Sequence, residues 1–345
     1  MQASPKIRFR DAQIEMAHGA GGKASRRLVE GLFVPLLGGP AASALGDAAC
    51  VRMNGTRLAI TTDSFVVKPL RFPGGSIGEL AVNGTVNDLA VTGAHAETLV
   101  VSFVLEAGLP TAILEQEVRA MAAAAQRAGV IIAGGDTKVV EHGKADHMYI
   151  TSCGIGRLIE GVEISPAAVR PGDRVLLSGP IGDHGITILL ARGELDLEAE
   201  ICSDTRPVLP LVEAMAAVAA PGIRWMRDPT RGGVATSLNE LALDCGLAIC
   251  LAEEKIPVRD SVRGACELLG LEPMHIANEG QFLAVVAAEF ADAALAALKA
   301  APGGQHAVMI GEVREQPAGT VLVSTLYGGT RVIDMLVGDP LPRIC

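Results

Sequence analysis

At 345 residues the chain exceeds what one ordinary core holds, and 49% hydrophobic content with 40 glycines excludes a disordered protein. A formal charge of −10, with no Lys/Arg cluster, excludes a binder of nucleic-acid backbones; such a chain meets a polyanion through metal ions. No uncharged apolar run reaches the roughly 18 residues of a membrane helix, and residues 1–10 lack a signal-peptide core, so a cytoplasmic protein with no membrane partner is expected. The seven cysteines form no CxxC pair, which fits thiols of a reducing compartment better than disulfides or zinc ligands.

Along the chain, His18-Gly19-Ala20-Gly21-Gly22-Lys23 feeds a predicted helix over 24–33. Such a turn can present N–H groups to phosphate, or serve as a plain connector; P-loop spacing is absent. Asp47 precedes one predicted strand, and Asp63 ends a β-branched one over 58–62. Two aspartates on neighbouring hairpin ends would converge, as a hard cation requires. Residues 76–93 read as a buried helix interrupted by Asn83, Asn87 and Asp88, and polar groups in so apolar a run are costly unless paired or coordinating. A strand over 99–106 and a helix over 110–128 follow, stopped by Gly129. A short strand over 130–133 then runs into Gly134-Gly135-Asp136-Thr137-Lys138, expected as a phosphate-side turn. A strand over 147–156 closes an α+β half.

Turn formers between 159 and 172 predict a boundary, dividing the chain into 1–160, 161–336 and a tail, 337–345, expected to be mobile. The second half alternates strand and helix and holds Asp228-Pro229-Thr230-Arg231-Gly232-Gly233 ahead of a helix over 234–245, and His275-Ile276-Ala277-Asn278-Glu279-Gly280 as a loop. The tail ends Pro340-Leu341-Pro342-Arg343-Ile344-Cys345. Its prolines predict a stiff extended arm, and six extended residues reach at most roughly 20 Å, enough to carry a thiol into a cleft. The adjoining α-carboxylate is a like charge that should raise the thiol pKa.

Taken together, Asp47, Asp63, Asn87-Asp88, Gly134-Gly135-Asp136-Thr137, the Asp228–Gly233 motif and the terminal Pro-Arg-Ile-Cys resemble the hydrogenase maturation HypE family of carbamoyl dehydratases. That family shares an ATP-using superfamily with aminoimidazole ribonucleotide synthetase and selenophosphate synthetase. The resemblance covers nearly the whole chain; the terminal Pro-Arg-Ile-Cys, with 135–140 and Asn278-Glu279-Gly280, selects this family within the superfamily. It implies two α/β domains, the first dimerising through a β-barrel beside an ATP cleft. It implies a reaction in which a carbamoyl group loaded by HypF on the terminal cysteine is dehydrated with ATP to a thiocyanate. The cyanide then passes to HypC–HypD for the iron of [NiFe] hydrogenase. By the same resemblance Asp47, Asp63, Asp88 and Asp228 would hold Mg²⁺, and Gly21, Gly22, Asn87, Gly134, Gly135, Asp136 and Thr137 would hold ATP. Cys345, Glu279 as base and Lys138 would be catalytic. His95 reads as structural, and the lack of a cysteine before Cys50 counts against selenophosphate synthesis. Two alternatives stay open: a superfamily synthetase or kinase on a small soluble substrate, and a nucleotide-binding scaffold whose tail is a docking peptide.

Overall fold

A computed structural model describes residues 8–37, 45–193, 199–338, 341 and 343–345. Pro340 and Pro342, on which the stiff-arm expectation rests, lie outside the described residues. The first half begins with α1 (Lys23–Leu28), a π-helical turn (Val29–Phe33) and α2 (Val34–Leu37). The strands β1 (Ala49–Met53) and β2 (Thr56–Phe65) form a hairpin turned by Asn54-Gly55, both at positive φ, the pair that a two-residue turn favours. A short hairpin, β3 (Arg71–Phe72) with β4 (Gly75–Ser76), leads into α3 (Ile77–Val91). Then come β5 (Ala94–Glu106), α4 (Thr111–Ala128), β6 (Ile131–Val140) and β7 (Met148–Leu158). Pro110 caps the start of α4 and Gly129, at φ 69°, ends it.

These strands make one sheet in the order β1-β2-β7-β5-β6, antiparallel except for β5 with β6, which α4 connects in parallel. α3 is buried nearly all round because β2, β5 and β7 cover one side and α4 and the second half cover the others. The opposite face of the sheet is open and exposes Val100, Ile131 and Ile155. The turn expected at 134–138 is corrected: the chain stays extended to Val140, paired with β5. Of the two glycines only Gly135 serves a close approach, since a Cβ there would stand 1.9 Å from the Val101 carbonyl oxygen, whereas one on Gly134 would meet nothing.

The second half contains β8 (Arg174–Leu177), α5 (Asp183–Ala191), α6 (Leu209–Ala219), β9 (Ile223–Arg227), α7 (Gly233–Cys245) and β10 (Ala248–Ala252). It continues with α8 (Asp260–Leu269), β11 (Leu283–Val286), α9 (Ala288–Ala300), β12 (Val308–Arg314), β13 (Thr320–Ser324) and β14 (Thr330–Ile333). Its sheet runs β14-β13-β10-β12-β8-β11-β9. Val175, Leu177, Leu283 and Val285 pack with α7 on one face, and Leu176, Ala284 and Val286 pack with α6 and α9 on the other. Burial on both faces explains why these strands are apolar throughout. Residues of α5 and α8, with Ile276, Leu341 and Ile344, instead join the core of the first half. No described helix is long and apolar enough to cross a membrane.

Candidate active site

Where the halves meet, four acid-bearing segments converge. Asp47 lies ahead of β1, Asp88 on α3 and Asp228 just after β9, and one carboxylate oxygen from each lies within 4.8 Å of the other two. Thr61 on β2 ties two of them: its Oγ1 is 2.8 Å from both Asp88 Oδ2 and the Asp47 carbonyl oxygen. Asp63, two residues further along β2, is 3.9 Å from the Arg231 guanidinium. All four carboxyls are held above the ordinary carboxylate range. Burial is the main cause in each; for Asp88 and Asp228 neighbouring carboxylates add to it, while arginines oppose it at Asp47 and Asp63. Arg227 lies 2.9 Å from Asp47 and 2.6 Å from Glu240; burial disfavours its charge, but the two acids outweigh burial and raise its pKa. A cluster of hard oxygen donors destabilised by its own charge fits a divalent cation.

The loop after β9 turns at Gly232 and Gly233, both at positive φ. A Cβ on Gly233 would sit 2.5 Å from the Met274 carbonyl oxygen and 2.6 Å from that of Ile276, so this turn packs backbone to backbone against the loop that carries Glu279. Asn278 fixes that loop by accepting from Gly182 N at 2.7 Å and donating to the Pro229 carbonyl at 2.9 Å. Glu279 is 3% exposed, and its carboxyl is pushed well up by burial first and then by Asp63, Asp228 and Asp204. Its backbone N–H donates to Asp204 Oδ1 at 3.1 Å.

The tail points inward. Val66 N donates to a main-chain carboxylate oxygen of Cys345 at 2.9 Å, and Arg343, at φ 58°, donates to the Val66 carbonyl at 3.1 Å and to Asp146 at 2.7 Å. Leu341, Ile344 and Cys345 are buried. Cys345 lines a cavity of about 500 Å³ with Ser64, Val66, Arg231, Arg343, Gly19 and Ala20. Gly21 and Gly22, next along the same loop, are under tight restraint: a Cβ on Gly21 would meet Arg231 Cβ at 2.7 Å, and one on Gly22 the Leu336 carbonyl oxygen at 2.2 Å.

The expected residues thus fall into three groups. Asp47, Asp63, Asp88, Asp228, Glu279 and Cys345 gather with the first glycine loop around one junction. Asn87 lies there but clamps the halves together, donating to the carbonyls of Arg206 and Glu279 at 2.9 and 3.0 Å and accepting from Val208 N at 2.8 Å. Gly134, Gly135, Asp136 and Thr137 line a separate groove of about 270 Å³ against Val118 and Met121 of α4, and Lys138 pairs with Asp136 on the exposed strand. Sequence reading passed over Thr61, Arg227 and Arg231; the Asp228–Gly233 motif already contained Arg231, whereas Thr61 had no signal of its own.

Residues 45–158 match the family of AIR synthase related proteins, N-terminal domain, and residues 170–324 match its C-terminal domain. The chain is 48% identical over 340 residues to the carbamoyl dehydratase HypE of Azotobacter vinelandii, covering 99% of each. Among solved structures it is similar to a HypE–HypF complex, at 44% identity and a TM-score of 0.85 over 90% of this chain and 99% of that one. It is likewise similar to HypE in complex with ATP, at 44% identity and a TM-score of 0.80 over 96% of this chain and 100% of that one.

Proposed function

The chain belongs to the HypE family of carbamoyl dehydratases, built on the two-domain AIR synthase related fold, and from that premise we propose that it dehydrates an S-carbamoyl group on its own Cys345, using ATP. The observation that carries this reading is the buried Cys345 lining a cavity whose wall includes Arg231, the neighbour of Asp63. In balanced form, R–S–C(=O)–NH₂ becomes R–S–C≡N. The carbonyl oxygen takes the γ-phosphoryl group and leaves as phosphate, and the nitrogen gives up both protons.

Asp47, Asp88 and Asp228, with Asp63 beside them, would hold Mg²⁺, which when bound neutralises charge on phosphate oxygens. Arg231 supplies a further positive charge at the cavity wall. Glu279 takes up one proton from the nitrogen, and the other leaves with the departing phosphate; burial and the neighbouring carboxylates raise the proton affinity of Glu279. The first glycine loop, through Gly21 and Gly22, closes the nucleotide side. Two copies pair through the open face of the first sheet, supported by exposed Val100, Ile131 and Ile155, and this pairing would bring Gly134, Gly135, Asp136, Thr137 and Lys138 to the nucleotide. HypF donates the carbamoyl group, a role supported by the solved HypE–HypF complex, and HypC–HypD accepts the cyanide for [NiFe] hydrogenase. The site of action is the cytoplasm.

The test is mass spectrometry of the Cys345 peptide after carbamoylated protein meets Mg-ATP. Loss of one water is expected; an unchanged carbamoyl mass under turnover conditions overturns the reading.

A further inference from the structure

His184 is the second residue of α5, fully buried, with an edge-to-face contact to Phe72 at 5.6 Å between ring centres. Its two nitrogens each have one neighbour: Nε2 lies 2.8 Å from the Ile344 carbonyl oxygen, and Nδ1 lies 2.8 Å from Ser203 Oγ. A carbonyl oxygen only accepts, so Nε2 must carry the proton. Burial pushes the imidazole down to about 4, so at neutral pH Nδ1 is a bare acceptor. Ser203 then donates its hydroxyl proton to Nδ1, while its oxygen accepts from Thr205 N at 3.1 Å. The relay has one direction: Thr205 N–H to Ser203, Ser203 O–H to His184, His184 N–H to the residue before Cys345.

The tail is also held from the β2–β3 connection and from the end of α5. Val66 N–H reaches a carboxylate oxygen of Cys345, Lys68 N–H reaches the Arg343 carbonyl, and Arg192 Nη2 reaches that same carbonyl at 3.0 Å. The Ile344 carbonyl meets the fully buried His184, where water cannot readily replace a lost donor. We propose that His184 is a positioning residue for the reaction at Cys345: its Nε2–H, aligned by Ser203, seats the Ile344 carbonyl and so fixes where the terminal thiol lies in the cavity. This rests on the reading of Cys345 as the carrier of the reacting group. The tail seat itself can be measured without any turnover.

The experiment follows alkylation of Cys345 by iodoacetamide in the full-length protein, read on the Cys345 peptide so that the other cysteines do not interfere. Removing a donor from a buried carbonyl should free the tail, so His184→Ala is expected to alkylate about tenfold faster than wild type. His184→Gln keeps an N–H toward Ile344 and should stay close to the wild-type rate. Ser203→Ala releases the tautomer and should fall between, about threefold faster. Single turnover of the carbamoylated variants should show the same ranking in rate, with KM for ATP unchanged. If His184→Ala does not fold, His184→Gln and Ser203→Ala carry the test. A wild-type alkylation rate in His184→Ala or Ser203→Ala overturns the proposal, as does His184→Gln reacting as fast as His184→Ala. If wild-type carbamoyl protein fails to lose water while the alkylation ranking holds, the dehydratase reading falls and the seat stands.

Discussion

Gly134-Gly135-Asp136 and Asp228…Gly232-Gly233 read alike along the chain, each an aspartate near paired glycines beyond a strand. They fold into opposite roles. The second pair takes positive φ, turns the chain and wedges against the backbone of the Glu279 loop, so its aspartate ends inside the charged junction. The first pair stays extended on an exposed edge strand, where the absent side chain makes room for a neighbouring strand's carbonyl. Within each pair a glycine lets backbone come close to something, and what it comes close to is decided by the rest of the fold. One region is thus a charged pocket built within a single chain, and the other an open face with exposed apolar side chains.

The sharpest way to break that contrast is inside the pocket. Asp88→Asn should lower ATP-dependent dehydration by about 100-fold or more, the scale expected when a ligand to a charge-neutralising cation is lost. In metal-free buffer it should melt higher than wild type, because it removes one of several carboxylates whose ionisation burial and like charge oppose. A variant that melts lower without metal would show that Asp88 is there for packing. In the same scans Mg²⁺ should raise the melting temperature of wild type and leave Asp88→Asn nearly unmoved, by mass action on the native state.

Next come the glycines. Gly233→Ala places a methyl 2.5 Å from a carbonyl at φ 61° and should cost about 3 kcal/mol in denaturant unfolding, with the Mg²⁺ response lost. Gly135→Ala also clashes, but its edge strand can shift, so about 2 kcal/mol is expected with the Mg²⁺ response kept. Equal loss of that response in both would erase the distinction between the two regions.

A smaller effect is pH-dependent. His184 has a folded-state pKa of about 4, below its ordinary 6.5, so the unfolded chain binds more protons between those values. Its contribution is therefore whole above pH 6.5 and lost as pH falls toward 4; by pH 5 it has lost about 2 kcal/mol. His184→Gln should lose that much less stability than wild type between pH 7 and pH 5, measured by urea unfolding. Smallest is Lys138→Ala on the exposed strand, expected to change monomer stability by less than about 0.5 kcal/mol while lowering dehydration, because Lys138 and Asp136 form an exposed pair.

Much of the pocket was legible in sequence because its parts are local signals: aspartates at strand ends, an Asn-Asp pair in an apolar helix, a glycine turn ahead of a helix. The rest depends on contacts distant in sequence. Gly135 is extended because of Val101, which nothing in its own neighbourhood announces. Asn87 looked like a ligand because it lies beside Asp88, yet its amide is engaged by residues near 206 and 279. His184 follows an ordinary glycine loop, and only the folded tail gives it meaning. The resting place of the tail was likewise undetermined, since a proline-bearing arm can point either way.

The Asn87 clamp has a mechanical corollary. One amide on the first half's central helix donates to the Glu279 carbonyl of the second half, so a hinge opening between the sheets would have to break that bond or carry Glu279 along with Asp88. The excursion a carrier thiol must make, out to a donor and back, falls to the last few residues of the chain, held by hydrogen bonds from β2–β3 and α5 that a partner could unfasten in turn.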